Sequence, residues 1–123
     1  MALEIQLLHE NNTVNIIHTG KLDKDEMNTG KDDSLSKLLF YNWNKILLDL
    51  SDAELQLQGI DIALVFKKLN HSHPTGVFLA AVQPAKTDFD YCQFAKTISV
   101  ECSNYTIEVF IDRTSALEWL VKQ

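Results

Sequence analysis

Cysteine, glycine and proline are all scarce in this chain of 123 residues, which contains two, four and two of them respectively. The cysteines, Cys92 and Cys102, lie in one predicted helical stretch, whose rise separates them by roughly 15 Å and prevents a disulfide between them. The glycines are isolated from one another, so the sequence has no glycine-rich phosphate loop. These scarcities exclude a disulfide scaffold and favour a packed core in a reducing cytoplasm.

Long apolar runs and an excess of positive charge are also missing. No stretch approaches the roughly 18 apolar residues that a membrane span needs. The first residues, MALEIQLLHENN, lack the basic start of a signal peptide. The net charge is −6, so neither a nucleic acid nor an anionic membrane is an expected partner. The sequence predicts one acidic domain over residues 1–123, with no transmembrane segment and a cytoplasmic location.

The first half of the sequence predicts a hairpin, a charged connection, a helix and a buried strand. Alternating apolar residues predict strands at 4–8 and 13–19, with an asparagine-containing turn between them. The charged stretch 21–33 predicts a solvated loop, with room for a short helix and a break at Thr29 and Gly30. Apolar spacing then predicts a helix at 34–43, capped by Asp32, Asp33 or Ser34. The run KILLDL at residues 45–50 predicts a central strand covered on both faces.

In the second half, helices alternate with strands. Apolar spacing predicts a helix near 59–69, a buried strand at 76–82 and a third helix that begins at Thr87 or Asp88. A last strand and a last helix follow, with Asp112 as the cap between them. Their predicted core positions are Tyr105, Ile107, Val109 and Ile111 in the strand, and Ala116, Leu117, Leu120 and Val121 in the helix. The order indicates an α/β fold with a four- to five-stranded mixed sheet, alternating helices and an antiparallel edge strand.

Four segments carry a resemblance to a known superfamily. They are the strand ILLDLSD at residues 46–52, the predicted helix that starts near Gly59, the strand GVFLAAV at residues 76–82 and the ending EVFIDRTSALEWL at residues 108–120. The ending is similar to the usual ending of STAS proteins, in which Val-x-Phe precedes an acidic residue and an Ala-Leu-x-Trp-Leu helix. The chain therefore resembles the STAS superfamily, and within it the SpoIIAA-like group of small, mostly bacterial proteins.

The resemblance implies the scaffold of this group without its phosphorylation switch. STAS proteins that antagonise anti-sigma factors are phosphorylated on a serine at the start of the helix after the central strand. The corresponding stretch here includes Gln58, Gly59 and Ile60, and Gln58 has no hydroxyl group. Ser51 is the nearest hydroxyl, and its position at the strand exit predicts a turn or capping residue rather than a phosphorylation site.

Two hypotheses for function follow from the resemblance. STAS domains commonly bind proteins through the helix after the central strand, so the predicted partner- or ligand-binding residues are Ser51, Gln58, Gly59 and Ile60. The first hypothesis is a non-enzymatic regulatory or protein-interaction module that uses residues 55–64 and 21–33 as its partner surface. The alternative is a carrier of a small apolar or lipid-like ligand between helices and sheet. Its pocket residues would be Ile60, Leu64, Phe78, Phe94 and Phe110.

No catalytic constellation stands out, so neither an enzyme nor a cofactor is expected. The paired carboxylates lie in charged or turn-like segments, where water keeps their acidity ordinary. His71 and His73, together with Asp88 and Asp90, give only a weak signal for a metal at the carboxyl edge of the sheet. Asp49 would be the phosphoacceptor of a receiver-like domain, but the acidic pair and late lysine of such a domain are missing.

Aromatic residues are predicted to pack rather than to bind. Phe40, Tyr41 and Trp43 are expected in the core or at the sheet edge, and Trp119 is expected to anchor the last helix. A homodimer through the edge of the first strand or through the region of Trp43 is a further expectation, because an exposed edge strand must be covered or blunted.

Overall fold

The computed structural model describes residues 2–56, 64, 75–85 and 105–123. Within these residues the strands are β1 (Ala2–Leu8), β2 (Thr13–Leu22), β3 (Lys45–Asp49), β4 (Ala53–Leu55), β5 (Val77–Val82) and β6 (Tyr105–Phe110). The helices are α1 (Lys24–Tyr41) and α2 (Arg113–Val121). The helices predicted near 59–69 and from Thr87, and with them Cys92 and Cys102, lie outside the described residues apart from Leu64.

The strands form one mixed sheet in the order β1-β2-β3-β5-β6. β1 is antiparallel to β2, from Ala2 opposite Thr19 to Leu8 opposite Thr13, and β2, β3, β5 and β6 are parallel. Asn12 takes the positive φ of 51° that the turn between β1 and β2 requires. The α/β fold with an antiparallel edge strand is therefore confirmed.

One strand was not predicted. The three residues of β4 pair in parallel with the end of β2, opposite Gly20, Lys21 and Leu22. This brings the described strands to six, above the predicted four to five. A segment of three residues is too short to show a periodic pattern, so β4 could not be predicted from the sequence.

The predicted loop at 21–33 is wrong, because α1 begins at Lys24 and continues through Gly30. The Asp23 side chain caps the helix by accepting a hydrogen bond from the Glu26 backbone N–H at 2.9 Å. Gly30 packs against β2: a Cβ added there would lie 3.0 Å from Nε2 of His18. The glycine is thus a point of close contact inside the helix rather than a break.

The helix ends earlier than predicted. Tyr41 is its last residue, and Asn42 follows with a left-handed φ of 57°. Trp43 lies just beyond, where its ring stacks on that of Tyr41 with centroids 4.6 Å apart. The buried side of α1 follows helical spacing. It consists of Met27, Gly30, Ser34, Leu35 and Leu38.

Helices cover both faces of the sheet. On one face α1 packs through Leu35 and Leu38 over a cluster that spans β2, β3, β5 and β6. On the other face α2 packs through Ala116 and Leu120 over Leu47, Ala80 and Val82. This arrangement explains the nearly continuous apolar run of β3, whose side chains are buried on alternate sides.

The strand–turn–helix ending is confirmed, with two corrections. The Asp112 carboxylate accepts a hydrogen bond from the backbone N–H of Ser115 at 2.7 Å and caps α2. Ile111 is not a core residue, because β6 ends at Phe110 and leaves its side chain 78% exposed. Val121, in the last turn of α2, is 57% exposed and likewise lies outside the core. Trp119 packs against the α2-side cluster, as predicted.

Candidate functional site

A polar cluster lies where β3 ends and α2 begins. Asp49 is the last residue of β3, and Arg113 is the first residue of α2. Because α2 folds back over β5 and β3, its first turn carries the Arg113 side chain toward the middle of the sheet. There Nη1 of Arg113 donates to Oδ2 of Asp49 at 3.4 Å and to Oδ1 of Asn15 at 3.3 Å. One guanidinium group therefore connects three elements.

Ser51 completes the environment of Asp49. Its backbone N–H and its hydroxyl both donate to Oδ1 of Asp49, at 3.0 and 2.6 Å. The predicted position of Ser51 at the strand exit is confirmed. Its hydroxyl is hydrogen-bonded to a carboxylate that already has an arginine partner, which is the local turn geometry expected of a short polar side chain after a strand.

Asn15 was not predicted as part of any site. It lies in the middle of β2 opposite Leu47, on the α2 side of the sheet, and it is fully buried. Its Nδ2 donates to Oε1 of Gln6 at 3.2 Å, and Nε2 of Gln6 donates to Oε2 of Glu4 at 2.9 Å. The sequence signal was a polar residue within the apolar strand TVNII, since a buried amide must find partners.

These bonds form a continuous polar line across one face of the sheet. It comprises Glu4, Gln6, Asn15, Arg113, Asp49 and Ser51. The side chain of Arg113 is 36% exposed and that of Asp49 is 13% exposed, so water weakens their attraction. The polar line orients the start of α2 and keeps Asn15 paired, and its donors and acceptors are largely used within the protein.

A second feature lies at the end of β2. Lys21 pairs with Glu54 and Leu22 with Leu55, while the backbone N–H of Gln56 donates to the carbonyl of Leu22 at 2.8 Å. This pairing joins the beginnings of the two sequence segments, 21–33 and 55–64, that were predicted to form a partner surface. A small buried cluster supports it from below. The cluster consists of Leu22, Met27, Leu50 and Ala53.

The surface above this cluster is acidic. Its carboxylates are all exposed, with Asp23 and Asp25 at the start of α1 and Asp52 and Glu54 around β4. We call these four residues the acidic surface. Glu26, next to them, has its pKa raised, first by loss of hydration and second by the charge of Asp23. Carboxylates are therefore crowded at this end of the molecule.

His18 is a buried titratable group on the α1 side. Its side chain is 2% exposed, its Nδ1 has no hydrogen-bond partner among the described residues, and burial lowers its pKa. Gly30 lies over its ring. Loss of hydration in the core therefore favours the neutral form of His18 over the charged form.

Several predicted residues lie outside the described residues: Gln58, Gly59, Ile60, His71, His73, Asp88, Asp90 and Phe94. Of the predicted ligand pocket, Leu64 is exposed, and Phe78 and Phe110 both pack against Trp119 with ring centroids 6.1 and 5.9 Å apart. In the described part of the chain, no three His, Cys, Asp or Glu residues come together to hold a metal ion. No helix there has the length and apolar character for a membrane crossing.

The comparison with solved structures gives a clear match for the fold. Neither a protein-family model nor a curated protein matches this sequence. The chain is similar to the crystal structure of an uncharacterized protein of the DUF3478 family from Shewanella loihica PV-4, which has a SpoIIAA-like fold. The TM-score is 0.61 at 17% sequence identity, over 97% of this chain and 92% of that one. With its mixed sheet covered by helices on both sides, this chain has the SpoIIAA-like fold that its sequence predicted.

Proposed function

We propose that this protein is a non-enzymatic interaction module, and that the acidic surface binds a regulatory protein partner. The observation that carries the proposal is the pairing of β4 with the end of β2. It brings together two segments that are about 30 residues apart in the sequence and gives them one outward-facing surface.

The charges of this surface define the kind of partner. Asp23, Asp25, Asp52 and Glu54 are exposed, and Lys21 and Lys24 offset only part of their charge. A partner with lysine or arginine residues at matching positions would be attracted over about one Debye length, which speeds association and selects against acidic competitors. The acidic surface therefore favours a basic protein partner.

The support beneath the surface favours binding without rearrangement. Leu22 and Leu50 are almost fully buried under it, and the backbone of β4 is hydrogen-bonded to β2. A preformed surface loses little conformational freedom when a partner binds. The polar line, by contrast, has its groups engaged within the chain, and we assign it a structural role rather than a catalytic one.

Site-specific photo-crosslinking tests the proposal directly. A photoreactive amino acid replaces Glu54, and the control replaces Glu10, which is exposed in the β1–β2 turn at the opposite end of β2. In lysate from the native cells, we expect a discrete crosslinked protein from position 54, lost in high salt, and none from position 10. Equal labelling from both positions, or no product from position 54, would contradict the proposal.

Charge reversal then tests whether the carboxylates matter. The double variant Asp52→Lys and Glu54→Lys is expected to weaken binding of the crosslinked partner at least about tenfold, mainly through slower association at low salt. The matched control, Glu10→Lys with Glu118→Lys, changes the net charge equally at exposed positions away from the acidic surface. If both double variants lose binding alike, net charge rather than this surface is responsible.

The carrier hypothesis is separated from this proposal by native mass spectrometry of gently purified protein. A clean apo mass agrees with the interaction module. An added mass that is released on denaturation, in one-to-one ratio with the chain, would move the function to ligand carriage instead.

A further inference from the structure

No strand in the described part of the chain covers the outer edge of β1. Among the described residues, β1 pairs with β2 on one side and with no strand on the other. The strand is seven residues long and contains no proline and no lysine, the residues that commonly protect an edge. Its one charged residue is Glu4. The edge therefore presents unprotected backbone N–H and C=O groups.

A hollow of about 390 Å³ lies beside this edge. It is lined by Leu3 and Ile5 of β1 and by Asp33, Ser36 and Lys37 of α1. Leu3 and Ile5 are only partly buried, although they belong to the margin of the main core. The edge of β1 is thus flanked by the apolar side chains of Leu3 and Ile5 and by a helix that carries one acidic and one basic side chain.

The C-terminal ends of α1 and β1 lie side by side, which relates the positions of residues along the two elements. The rings of His9 and Tyr41 are in edge contact, 5.6 Å apart. From Tyr41, six residues toward the start of the helix span about 9 Å. From His9, three residues toward the start of the strand span about 10 Å. Leu35 is therefore level with Gln6. Helical side chains lean toward the N-terminus, which places Asp33 and Lys37 on either side of the middle of β1.

We propose that a second copy of this chain covers the edge, by antiparallel pairing of β1 with β1 about a twofold axis at Ile5. This register pairs all seven residues of the strand, since Ala2 then faces Leu8 of the partner subunit. Residues directly opposite share a face of the sheet. The apolar residues Leu3, Ile5 and Leu7 thus meet one another on the α1 side.

The same register matches the polar residues on the other face. Glu4 faces Gln6 of the partner subunit, and the Gln6 amide, which uses one N–H for Glu4 of its own chain, has a second N–H to donate to the partner's carboxylate. A shift of the axis by one residue to Glu4 would place two carboxylates opposite each other, which is unfavourable. The charges therefore select the register that also gives full overlap.

The helices add a second set of matched charges. Because α1 contacts both β1 and β2, it lies about 5 Å from the axis, and the two copies of α1 would be about 10 Å apart, which is ordinary helix packing. The axis relates Asp33 of one subunit to Lys37 of the partner subunit, twice. Neither residue forms an ion pair within the described part of one chain. This self-complementarity favours a second copy over an unrelated strand.

Charge exchange tests the dimer by sedimentation and light scattering over a concentration series. Asp33→Lys alone and Lys37→Asp alone each replace two attractive pairs with two repulsive ones, and each should weaken dimerisation about tenfold or more. The double variant Asp33→Lys with Lys37→Asp should recover it. Both positions are exposed, so matched thermal unfolding shows whether each of the three variants is folded. A monomeric wild type, or a folded double variant that fails to recover, would overturn the proposal.

Disulfide trapping tests the register. Glu4→Cys mixed with Gln6→Cys should form a mixed dimer faster than either variant alone, because directly opposite Cβ atoms are about 5 Å apart and diagonal ones about 7 Å. Wild-type protein and Glu10→Cys under the same oxidant control for Cys92 and Cys102. Faster trapping of Glu4→Cys by itself would contradict the axis at Ile5.

Discussion

On the face of the sheet that α1 covers, the strands present an almost continuous apolar surface, whereas on the α2 face a line of polar side chains crosses from β1 to α2. The apolar surface on the α1 face is formed by Val14, Ile16 and Ile46 together with Leu38 of α1. On the second face Asn15 and Arg113 interrupt the apolar contacts. The difference suggests that one helix is held by packing and the other also by directional bonds, which fix its orientation.

Removing a fully buried side chain from the α1 face is expected to have the largest effect. Leu38→Ala should lower the free energy of unfolding by about 3 kcal/mol, because the leucine is completely buried and would leave a cavity. The neighbouring Leu39→Ala is the control, since Leu39 is 58% exposed and should change stability by less than about 0.5 kcal/mol. Urea unfolding measures both. Similar losses would show that α1 is not held by this apolar face.

A larger side chain at Gly30, where α1 contacts β2, is expected to have the next largest effect on the free energy of unfolding. Gly30→Leu would push side-chain atoms into the ring of His18, and overpacking of this kind destabilises by about 2 kcal/mol. Gly30→Ala is the milder control. The close approach of its Cβ to Nε2 of His18, at 3.0 Å, opposes a gain in helix propensity of up to about 1 kcal/mol. The net change in the free energy of unfolding should therefore be small.

A double-mutant cycle shows whether His18 is the cause. In a His18→Ala background, Gly30→Leu should cost about 1 kcal/mol less than in the wild type, because the ring that it meets has been removed. Equal costs in both backgrounds would mean that the helix tolerates or rejects the leucine for another reason.

The polar line on the α2 face should give a smaller effect with a different signature. Arg113→Met leaves Oδ1 of the buried Asn15 without its donor, which should cost about 1.5 kcal/mol. Adding Asn15→Leu should recover part of this loss, because an apolar pair needs no donor. Salt should change the effect little, since the partly exposed ion pair with Asp49 contributes less than the buried amide. Losses that simply add would show that the two residues act independently.

The strands were predictable because their patterns are local. The run KILLDL reflects burial on two faces of the sheet, and the alternation in 4–8 reflects burial on one face. Both patterns can be recognised without knowing the partner strands. The first half of α1 was not predictable in this way. Its charged residues and Gly30 favour a loop locally, and only the contact with His18, twelve residues earlier, explains why the glycine is accommodated in a helix.

The candidate sites show the same limit. Ser51 was placed correctly at the strand exit, since that position follows from the end of an apolar run. The bond between Asn15 and Arg113 joins residues 98 positions apart, and no local pattern relates them. The binding role assigned to Gln58, Gly59 and Ile60 stays a prediction, and so does that of Ser51.

As the pH is lowered, the two faces of the sheet are expected to lose stability over different pH ranges. On the α1 face, burial holds the pKa of His18 below its ordinary value of 6.5. As the pH falls, the unfolded chain therefore binds a proton first, so the contribution of His18 is fully present above pH 6.5 and is lost as the pH falls from there through its lowered pKa. We expect His18→Leu to lose less stability than the wild type between about pH 7 and 5, measured by urea unfolding. Parallel curves for the two proteins would show that His18 is already hydrated in the folded state.

At the start of α2 the corresponding change should come at lower pH. The backbone N–H of Ser115, and then its hydroxyl, hold the pKa of Asp112 below its ordinary value of 3.8. Because the folded state favours the carboxylate, its contribution is present above pH 3.8 and is lost as the pH falls through the lowered pKa. Asp112→Asn is the matched variant, since asparagine caps a helix about as well but does not titrate over this range. The stability difference between wild type and Asp112→Asn should therefore be constant from pH 7 to 5 and should shift against the wild type only in stronger acid. A shift that begins near pH 6 would assign the acid sensitivity of α2 to another group.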